Sequence, residues 1–67
     1  MQIILNGKSV VLDAKTSTIA ALIDQLQLTG KRIAVEVNED IVPRSAHVTT
    51  LLKAGDRIEI VHAIGGG

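Results

Sequence analysis

The chain has 67 residues, of which seven are basic, seven are acidic and none is cysteine. This length allows one small domain, and the lack of cysteine excludes disulfides and thiolate metal sites. Two histidines, His47 and His62, are too few for a structural zinc site, so we expect no metal. Because Phe, Trp and Tyr are also absent while 46% of the residues are hydrophobic, the core must be built from aliphatic side chains.

The charge balance bears on possible partners. Proteins that bind nucleic acid usually carry a basic excess and, for single strands, aromatic side chains that stack on bases. This chain has neither feature. No apolar run is long enough to span a membrane, and the N-terminus lacks the pattern of a signal peptide. We therefore expect a soluble cytoplasmic protein with neither nucleic acid nor membrane among its partners.

The first twelve residues have the pattern of a β-hairpin. Apolar runs at residues 1–5 and 9–12 flank Asn6-Gly7, and both turn residues tolerate the positive φ angles of a type I′ turn. Side chains alternate between the two faces of a strand. The face predicted to pack on the core holds Met1, Ile3, Leu5, Val10 and Leu12. Ile4 and Val11 are predicted to lie on the opposite, outward face.

A helix is predicted over about residues 19–28. Its apolar positions follow the spacing i, i+3, i+4, i+7 of one helical stripe: Ile19, Leu22, Ile23 and Leu26. Thr18 or Ser17 would be the N-cap, because a hydroxyl there can accept from a free backbone N–H group. Gly30 would end the helix.

The second half of the chain alternates again. Residues 33–37 predict a strand with Ile33, Val35 and Val37 inward, and residues 38–40 predict a turn. Residues 41–42 are long enough only for an edge strand, which Pro43 supports because it has no N–H group to donate to a central ladder.

Two further elements follow. In residues 45–54, Val48, Leu51 and Leu52 indicate a helical or 3₁₀ turn lying over the core. Residues 57–62 then alternate strongly, which predicts a final strand with Ile58 and Ile60 inward.

These elements predict an α+β domain with two layers, a mixed sheet of four to five strands packed on one main helix. We place the final strand centrally, beside the first one. The predicted domain covers residues 1–64, and residues 65–67 form a flexible glycine tail.

The tail Gly65-Gly66-Gly67 could carry function. Glycine has no Cβ, so an extended run of glycines can enter a channel that side chains would block. A terminal α-carboxylate at Gly67 is anionic at neutral pH. A frayed end or a cloning scar would give the same three residues. The tail alone leaves these alternatives open.

Several segments resemble known proteins. The start Met1-Gln2-Ile3, the Gly7-Lys8 turn, Thr18 before the helix and the final Gly66-Gly67 are similar to the ubiquitin-like β-grasp fold. Within that fold the chain resembles the ThiS family, the sulfur carriers of thiamine biosynthesis. The segments that carry this resemblance are VNEDIVPR at residues 37–44, GDRIEI at residues 55–60 and VHAI at residues 61–64.

The resemblance implies a carrier that is not itself an enzyme and binds no cofactor. An adenylyltransferase of the ThiF type would consume ATP to adenylate the carboxylate of Gly67. A persulfide, charged by a cysteine desulfurase, would convert the adenylate to a thiocarboxylate. A thiazole synthase of the ThiG type would then receive the sulfur. Gly66 would give the tail access to the enzyme channel, and Gly65 is an additional glycine without an assigned role.

A partner surface is expected on the outward face of the sheet. Ile4, Val11 and Val61 would form an apolar patch near the tail, although scattered exposed apolar residues are normal. Arg44 and Arg57 could bind an acidic partner or be ordinary solvated charges.

Members of the ThiS family often carry a bulky aromatic residue in the stretch around residues 46–48, and this chain has none there. If that stretch contacts partners, His47 would partly replace the missing aromatic anchor. Other functions remain open at this point. A carrier for molybdopterin synthesis uses the same thiocarboxylate chemistry, and a ubiquitin-like binding module or protein tag could share the fold. The chain shows no nucleophile–base pair or carboxylate dyad that would favour an enzyme.

Overall fold

The computed structural model describes residues 1–62. Its elements in chain order are β1 (Gln2–Leu5), β2 (Lys8–Val11), α1 (Ile19–Gln25), β3 (Ile33–Val37), β4 (Asp40–Val42), a 3₁₀ helix (Arg44–Ala46) and β5 (Arg57–His62). The five strands form one sheet in the order β2-β1-β5-β3-β4. The sheet is mixed because β1 and β5 run parallel while the other neighbouring pairs run antiparallel. This confirms the predicted β-grasp architecture and the central place of β5.

The hairpin forms where its turn residues predicted it. Asn6 has a φ of 49° and Gly7 a φ of 83°, the left-handed conformations that a type I′ turn requires. Ile3 is completely buried, whereas Val11 is 76% exposed, so the predicted alternation of faces is confirmed at these positions. Ile4, opposite Arg57 in the ladder, is half-buried.

A single aliphatic core lies between α1 and the sheet. Its buried members come from both layers and from the connecting segments: Ile3, Leu12, Ile19, Leu22, Ile23, Val35, Leu52, Ile58 and Ile60. Full burial of a Leu or Ile side chain contributes about 1.5–3 kcal/mol to stability. Ile19, Leu22 and Ile23 of the helix stripe and the inward side chains of β5 therefore hold the two layers together as predicted. Leu26, the fourth residue of the predicted stripe, is instead 36% exposed at the helix C-cap.

Helix α1 begins as predicted but ends early. The Thr18 hydroxyl accepts a hydrogen bond from the backbone N–H of Ala21 at 3.1 Å, which confirms Thr18 as the N-cap. At the other end Gln27 has a φ of 62°, and the chain leaves the helix there. The helix thus ends at Gln25 and not at residue 28, before Gly30 is reached.

The segment between β4 and β5 contains a 3₁₀ turn as predicted, at Arg44–Ala46, but it covers the core less than predicted. Leu52 is buried, but Val48 is 69% exposed and Leu51 is 65% exposed, so only one of the three residues covers the core. The segment packs instead on the start of α1. The carbonyl oxygens of His47 and Thr50 accept from the N–H groups of Ala20 and Ile19 at 2.9 and 3.1 Å, satisfying donors at the helix N-terminus.

Within residues 1–62, no helix is long and apolar enough to cross a membrane. The predicted boundary between the domain and the tail, at residues 64 and 65, lies outside the described residues.

Candidate functional site

Strand β5 is the element that leads into the tail. It pairs with β1 on one side only as far as Ile58, opposite Leu5. On the other side it pairs with β3 as far as His62, opposite Ile33. The last described residues of β5 are therefore held by β3 and extend past the β1 ladder. Gly65, Gly66 and Gly67, the predicted reactive segment, lie outside the described residues.

The predicted apolar patch does not form one surface. Val61 is 58% exposed and Val11 is 76% exposed, both on the face of the sheet that α1 leaves uncovered. Val11 stands opposite Gln2, near the start of β1, whereas Val61 lies four residues beyond the level of Ile4. At about 3.3 Å per residue, Val11 and Val61 are roughly 20 Å apart along the strands. Only Val61 lies at the end of the sheet from which the tail departs.

An acidic depression of about 310 Å³ lies between these two apolar ends. Its charged lining consists of Glu36, Glu39, Glu59 and Arg57, and Ile4 borders it. Glu36 and Glu59 stand directly opposite each other on β3 and β5. Three carboxylates with one guanidinium give this face a local negative charge although the whole chain is neutral, so it suits a cationic group of a partner.

Arg44 and Arg57 belong to different surfaces. Arg44 donates to the carbonyl oxygen of Lys31 at 3.3 Å and lines a second depression, of about 250 Å³, beside α1. This depression also contains His47 and Val48. An acidic partner could therefore contact only one of the two arginines within a small interface.

His47 is not presented to a partner as an aromatic anchor. Its ring is buried, with 9% of the residue exposed, and Nε2 lies 3.2 Å from the carbonyl oxygen of Val42. The ring joins the segment after β4 to the end of that strand. The burial of His47 contradicts the expectation that it partly replaces an aromatic anchor for partners, and Val48 is the exposed residue here.

Two asparagines join β5 to the turns on either side of it through side-chain hydrogen bonds. Neither role was predicted from the sequence. Asn6 bonds to the backbone of Ile60, and Asn38 accepts from the N–H of Arg57 at 3.0 Å. Asn38 also donates to the buried carboxylate of Asp56 at 3.0 Å. Asn6 was expected at its turn for its backbone preference, and residues 38–40 were expected only to form a turn, so the sequence held no separate indication of the side-chain bonds.

The part of the chain that the structure describes contains no cluster of three or more His, Asp or Glu side chains able to hold a metal ion. Every buried side-chain nitrogen or oxygen atom described has a hydrogen-bond partner.

Comparisons with known proteins agree with the architecture. The sequence model of the ThiS family matches residues 2–67. A sulfur carrier protein ThiS from Bacillus subtilis is 41% identical over 63 residues, which cover 94% of this chain and 96% of that protein. The crystal structure of a thiamine biosynthesis protein (ThiS) from Geobacter metallireducens superposes with a TM-score of 0.86 at 30% identity, covering both chains fully.

A longer relative matches as well. A thiazole synthase from Paramagnetospirillum magneticum is 37% identical over all 67 residues, and this chain spans only 20% of its length. The family match extends over nearly the whole chain, and the relative from Bacillus subtilis is covered almost end to end. The chain therefore belongs to the ThiS family of sulfur-carrier proteins.

Proposed function

We propose that the chain carries sulfur for thiazole formation as a thiocarboxylate on Gly67. The observation that carries this proposal is the family match, which extends through residue 67 and so includes the terminal glycines. Membership of the ThiS family also supports a role as a protein co-substrate and not as an enzyme. The chemistry requires that Gly67 bear the free α-carboxylate.

The first step activates this carboxylate, which is a poor electrophile. One of its oxygens attacks the α-phosphorus of ATP on a ThiF-type adenylyltransferase, and pyrophosphate leaves. The carbonyl carbon of Gly67 then carries AMP, a good leaving group. The carrier supplies only the carboxylate, so it needs no catalytic side chain of its own, and ATP is consumed by the partner.

The second step replaces oxygen by sulfur. The terminal sulfur of a protein persulfide, charged by a cysteine desulfurase, attacks the carbonyl carbon, and AMP leaves. A thiol then cleaves the S–S bond of the resulting acyl disulfide. The products are the thiocarboxylate on Gly67 and a disulfide between the donor cysteine and that thiol, so atoms and electrons balance.

A thiazole synthase of the ThiG type is the proposed acceptor. Support comes from two proteins named thiazole synthase, from Paramagnetospirillum magneticum and Magnetococcus marinus, in which this whole chain aligns to a fifth of the relative's length. A carrier-like segment within the same polypeptide as the synthase favours direct transfer between the two. A carrier acting in molybdopterin synthesis receives no comparable support.

The experiment is intact-mass measurement after incubation with ATP, the ThiF-type enzyme, a cysteine desulfurase and cysteine. We expect the mass change for replacement of one oxygen by sulfur, located at Gly67 by fragmentation. A chain that lacks Gly67 should show no change in mass after the reaction and should melt at the same temperature, because the described core is built from residues between Ile3 and Ile60. Absence of both adenylate and thiocarboxylate with active components would contradict the proposal.

The same assay separates the alternatives. A protein tag would appear as an isopeptide adduct on lysines of other proteins and not as a thiocarboxylate. Transfer is tested by adding the ThiG-type synthase, its carbon substrates and the thiocarboxylate carrier labelled with ³⁵S. Label in the thiazole product supports the proposed acceptor, and retention of the label on the carrier contradicts it.

A further inference from the structure

Beyond Ile58, strand β5 is no longer paired with the main chain of β1. Leu5 is the last β1 residue in the parallel ladder, opposite Ile58, and the N–H of Asn6 makes one more bond, to the carbonyl oxygen of Ile58 at 2.9 Å. The chain then turns away into the Asn6-Gly7 turn. A strand that continued would next present a carbonyl oxygen and an N–H group to Ile60.

The side chain of Asn6 supplies both missing groups. Its Oδ1 accepts from the N–H of Ile60 at 2.9 Å, and its Nδ2 donates to the carbonyl oxygen of Ile60 at 3.3 Å. The carboxamide thus replaces the carbonyl group of one peptide unit and the N–H group of the following one, which a continuing β1 would have offered to Ile60. It extends the parallel ladder by one step after the main chain has left the sheet.

Two independent requirements select asparagine at this position. The backbone has a φ of 49°, a left-handed conformation that Asn adopts more readily than most residues other than glycine. The two bonds to Ile60 need one acceptor and one donor on a side chain short enough to reach an adjacent strand. Glycine satisfies the first requirement only, and aspartate lacks the donor.

We propose that Asn6 is a positioning residue for the tail. Ile60 is seven residues before Gly67, and past Ile58 the ladder with β3 holds β5 from one side only. The Asn6 carboxamide holds the other side and so fixes the direction in which β5 delivers the residues that follow. This role rests on the proposed function, because it concerns presentation of Gly67 to the adenylyltransferase.

The chain offers a matched control. Asn38 also has a left-handed backbone, with a φ of 51°, and its side chain also bonds to β5, but at Arg57, the first residue of that strand. Asn6→Gly and Asn38→Gly make the same chemical change in two turns of similar conformation. Both variants keep a residue that tolerates positive φ, so both should fold.

Amide hydrogen exchange tests the contact itself. We expect exchange at Ile60 to accelerate by about tenfold or more in Asn6→Gly, beyond any change in global stability, because its N–H loses its acceptor. In Asn38→Gly the acceleration should appear at Arg57 and not at Ile60. Unchanged exchange at Ile60 in Asn6→Gly would overturn the inference, whatever the activity.

Adenylation kinetics test the positioning role. With the ThiF-type enzyme and each carrier varied as substrate, we expect kcat for Asn6→Gly to fall by about fivefold while KM stays within about twofold, because misplacement affects the reacting geometry more than docking. Asn38→Gly should keep both constants near the wild-type values. Equal losses in the two variants would indicate a merely structural role, and a rise in KM alone would indicate a direct contact with the enzyme.

Failure of this role can be distinguished from failure of the proposed function. If the wild-type chain is not adenylated, the proposed function and the positioning role both fall. If the wild-type chain is adenylated and Asn6→Gly reacts at the same rate, only the positioning role falls.

Discussion

Glu36 on β3 and Glu59 on β5 stand directly opposite each other on the face of the sheet that α1 leaves uncovered. Like charges in this arrangement destabilise a sheet by a few tenths of a kcal/mol. The pair therefore lowers the stability of the isolated domain, and a cationic group of a partner would offset the repulsion between the two carboxylates.

The first prediction concerns this pair. Glu59→Gln should raise the free energy of unfolding by about 0.5 kcal/mol at low salt, measured from the urea midpoint, because one of the two opposed charges is removed. The gain should shrink in high salt, since exposed charges are screened. Glu39→Gln is the control, because Glu39 lies in the turn and has no residue opposite it in the ladder. A loss of stability in Glu59→Gln, or a gain that salt does not reduce, would contradict this account.

The second prediction concerns the early end of α1. The N–H of Gln27 donates to the carbonyl oxygen of Asp24 at 3.0 Å, and the N–H of Leu28 donates to that of Ile23 at 2.9 Å. These two bonds form a Schellman motif, whose left-handed position is occupied by Gln27 where glycine is usual. Gln27→Gly should therefore stabilise the domain by about 0.5–1 kcal/mol in thermal or urea unfolding.

A control for this change is Ala21→Gly, within the same helix. Ala21 has ordinary helical conformation, so glycine there should destabilise by about 1 kcal/mol. Opposite signs for the two substitutions would support the motif. If Gln27→Gly also lowered stability, the left-handed conformation of Gln27 would not carry the backbone strain from which the gain is predicted.

Elements of the fold that are determined by neighbouring residues were predicted from the sequence, whereas those determined by distant residues were not. The hairpin and β5 were predicted well because Asn6-Gly7 and the alternation of residues 57–62 act within a few residues. The end of α1 was not, because Gln27 gives no indication in the sequence that it will adopt the left-handed position. Residues 45–54 were predicted only in part: a 3₁₀ helix forms at Arg44–Ala46 and Leu52 is buried, but Val48 and Leu51 are exposed. The path of this segment depends on helix N–H groups that lie about 30 residues earlier in the chain.

In the candidate site, too, locally determined features were predicted and features that depend on distant residues were not. Which side chains face outward follows from alternation, so Val11 and Val61 were assigned correctly to the exposed face. Whether they are neighbours depends on the register between β1 and β5, which no local pattern determines. The contact between Asn6 and Ile60 spans 54 residues and likewise depends on that register.

The third prediction concerns Asp56, which is 9% exposed. Its Oδ2 accepts from the N–H of Lys53 at 2.8 Å, and its Oδ1 accepts from Asn38 Nδ2 at 3.0 Å. Asp56→Asn should cost about 1–3 kcal/mol of unfolding free energy, because one of these donors would then face a second donor. Asn38→Asp should also destabilise, because two carboxylates would meet.

The double variant tests the pairing directly. Exchanging the two residues restores one donor and one acceptor between positions 38 and 56. Position 38 also retains an oxygen for the N–H of Arg57. We expect the double variant to recover at least about 1 kcal/mol relative to the sum of the single changes, measured by urea unfolding. Strict additivity would mean that the two side chains do not interact.

The fourth prediction compares two glycines of the tail. If Gly67 is drawn into a narrow channel of the adenylyltransferase, a Cβ on Gly66 should obstruct it. Gly66→Ala should then lower kcat/KM for adenylation by about tenfold or more, with the thermal melt unchanged. Gly65→Ala, one residue further from the reacting carboxylate, should have a smaller effect. Equal activity of Gly66→Ala and the wild-type chain would exclude a steric role for Gly66.

The fifth prediction concerns the face of the sheet that the proposed adenylyltransferase would meet. Val61 is 58% exposed and lies six residues before Gly67, whereas Val11 is 76% exposed at the other end of the face. An enzyme that takes in the tail must come close to Val61. Val61→Ser should therefore lower kcat/KM for adenylation by about threefold to tenfold through a higher KM, the range typical of an interface residue that contributes about 1 kcal/mol.

Val11→Ser makes the same change at a more exposed valine and is the matched control. Its effect on KM should be smaller, because roughly 20 Å along the strands separates the two positions. Equal effects would mean that the enzyme covers the whole uncovered face, from β2 to the end of β5. The Glu36–Glu59 pair lies between the two valines, so Glu59→Gln would then be expected to raise KM as well.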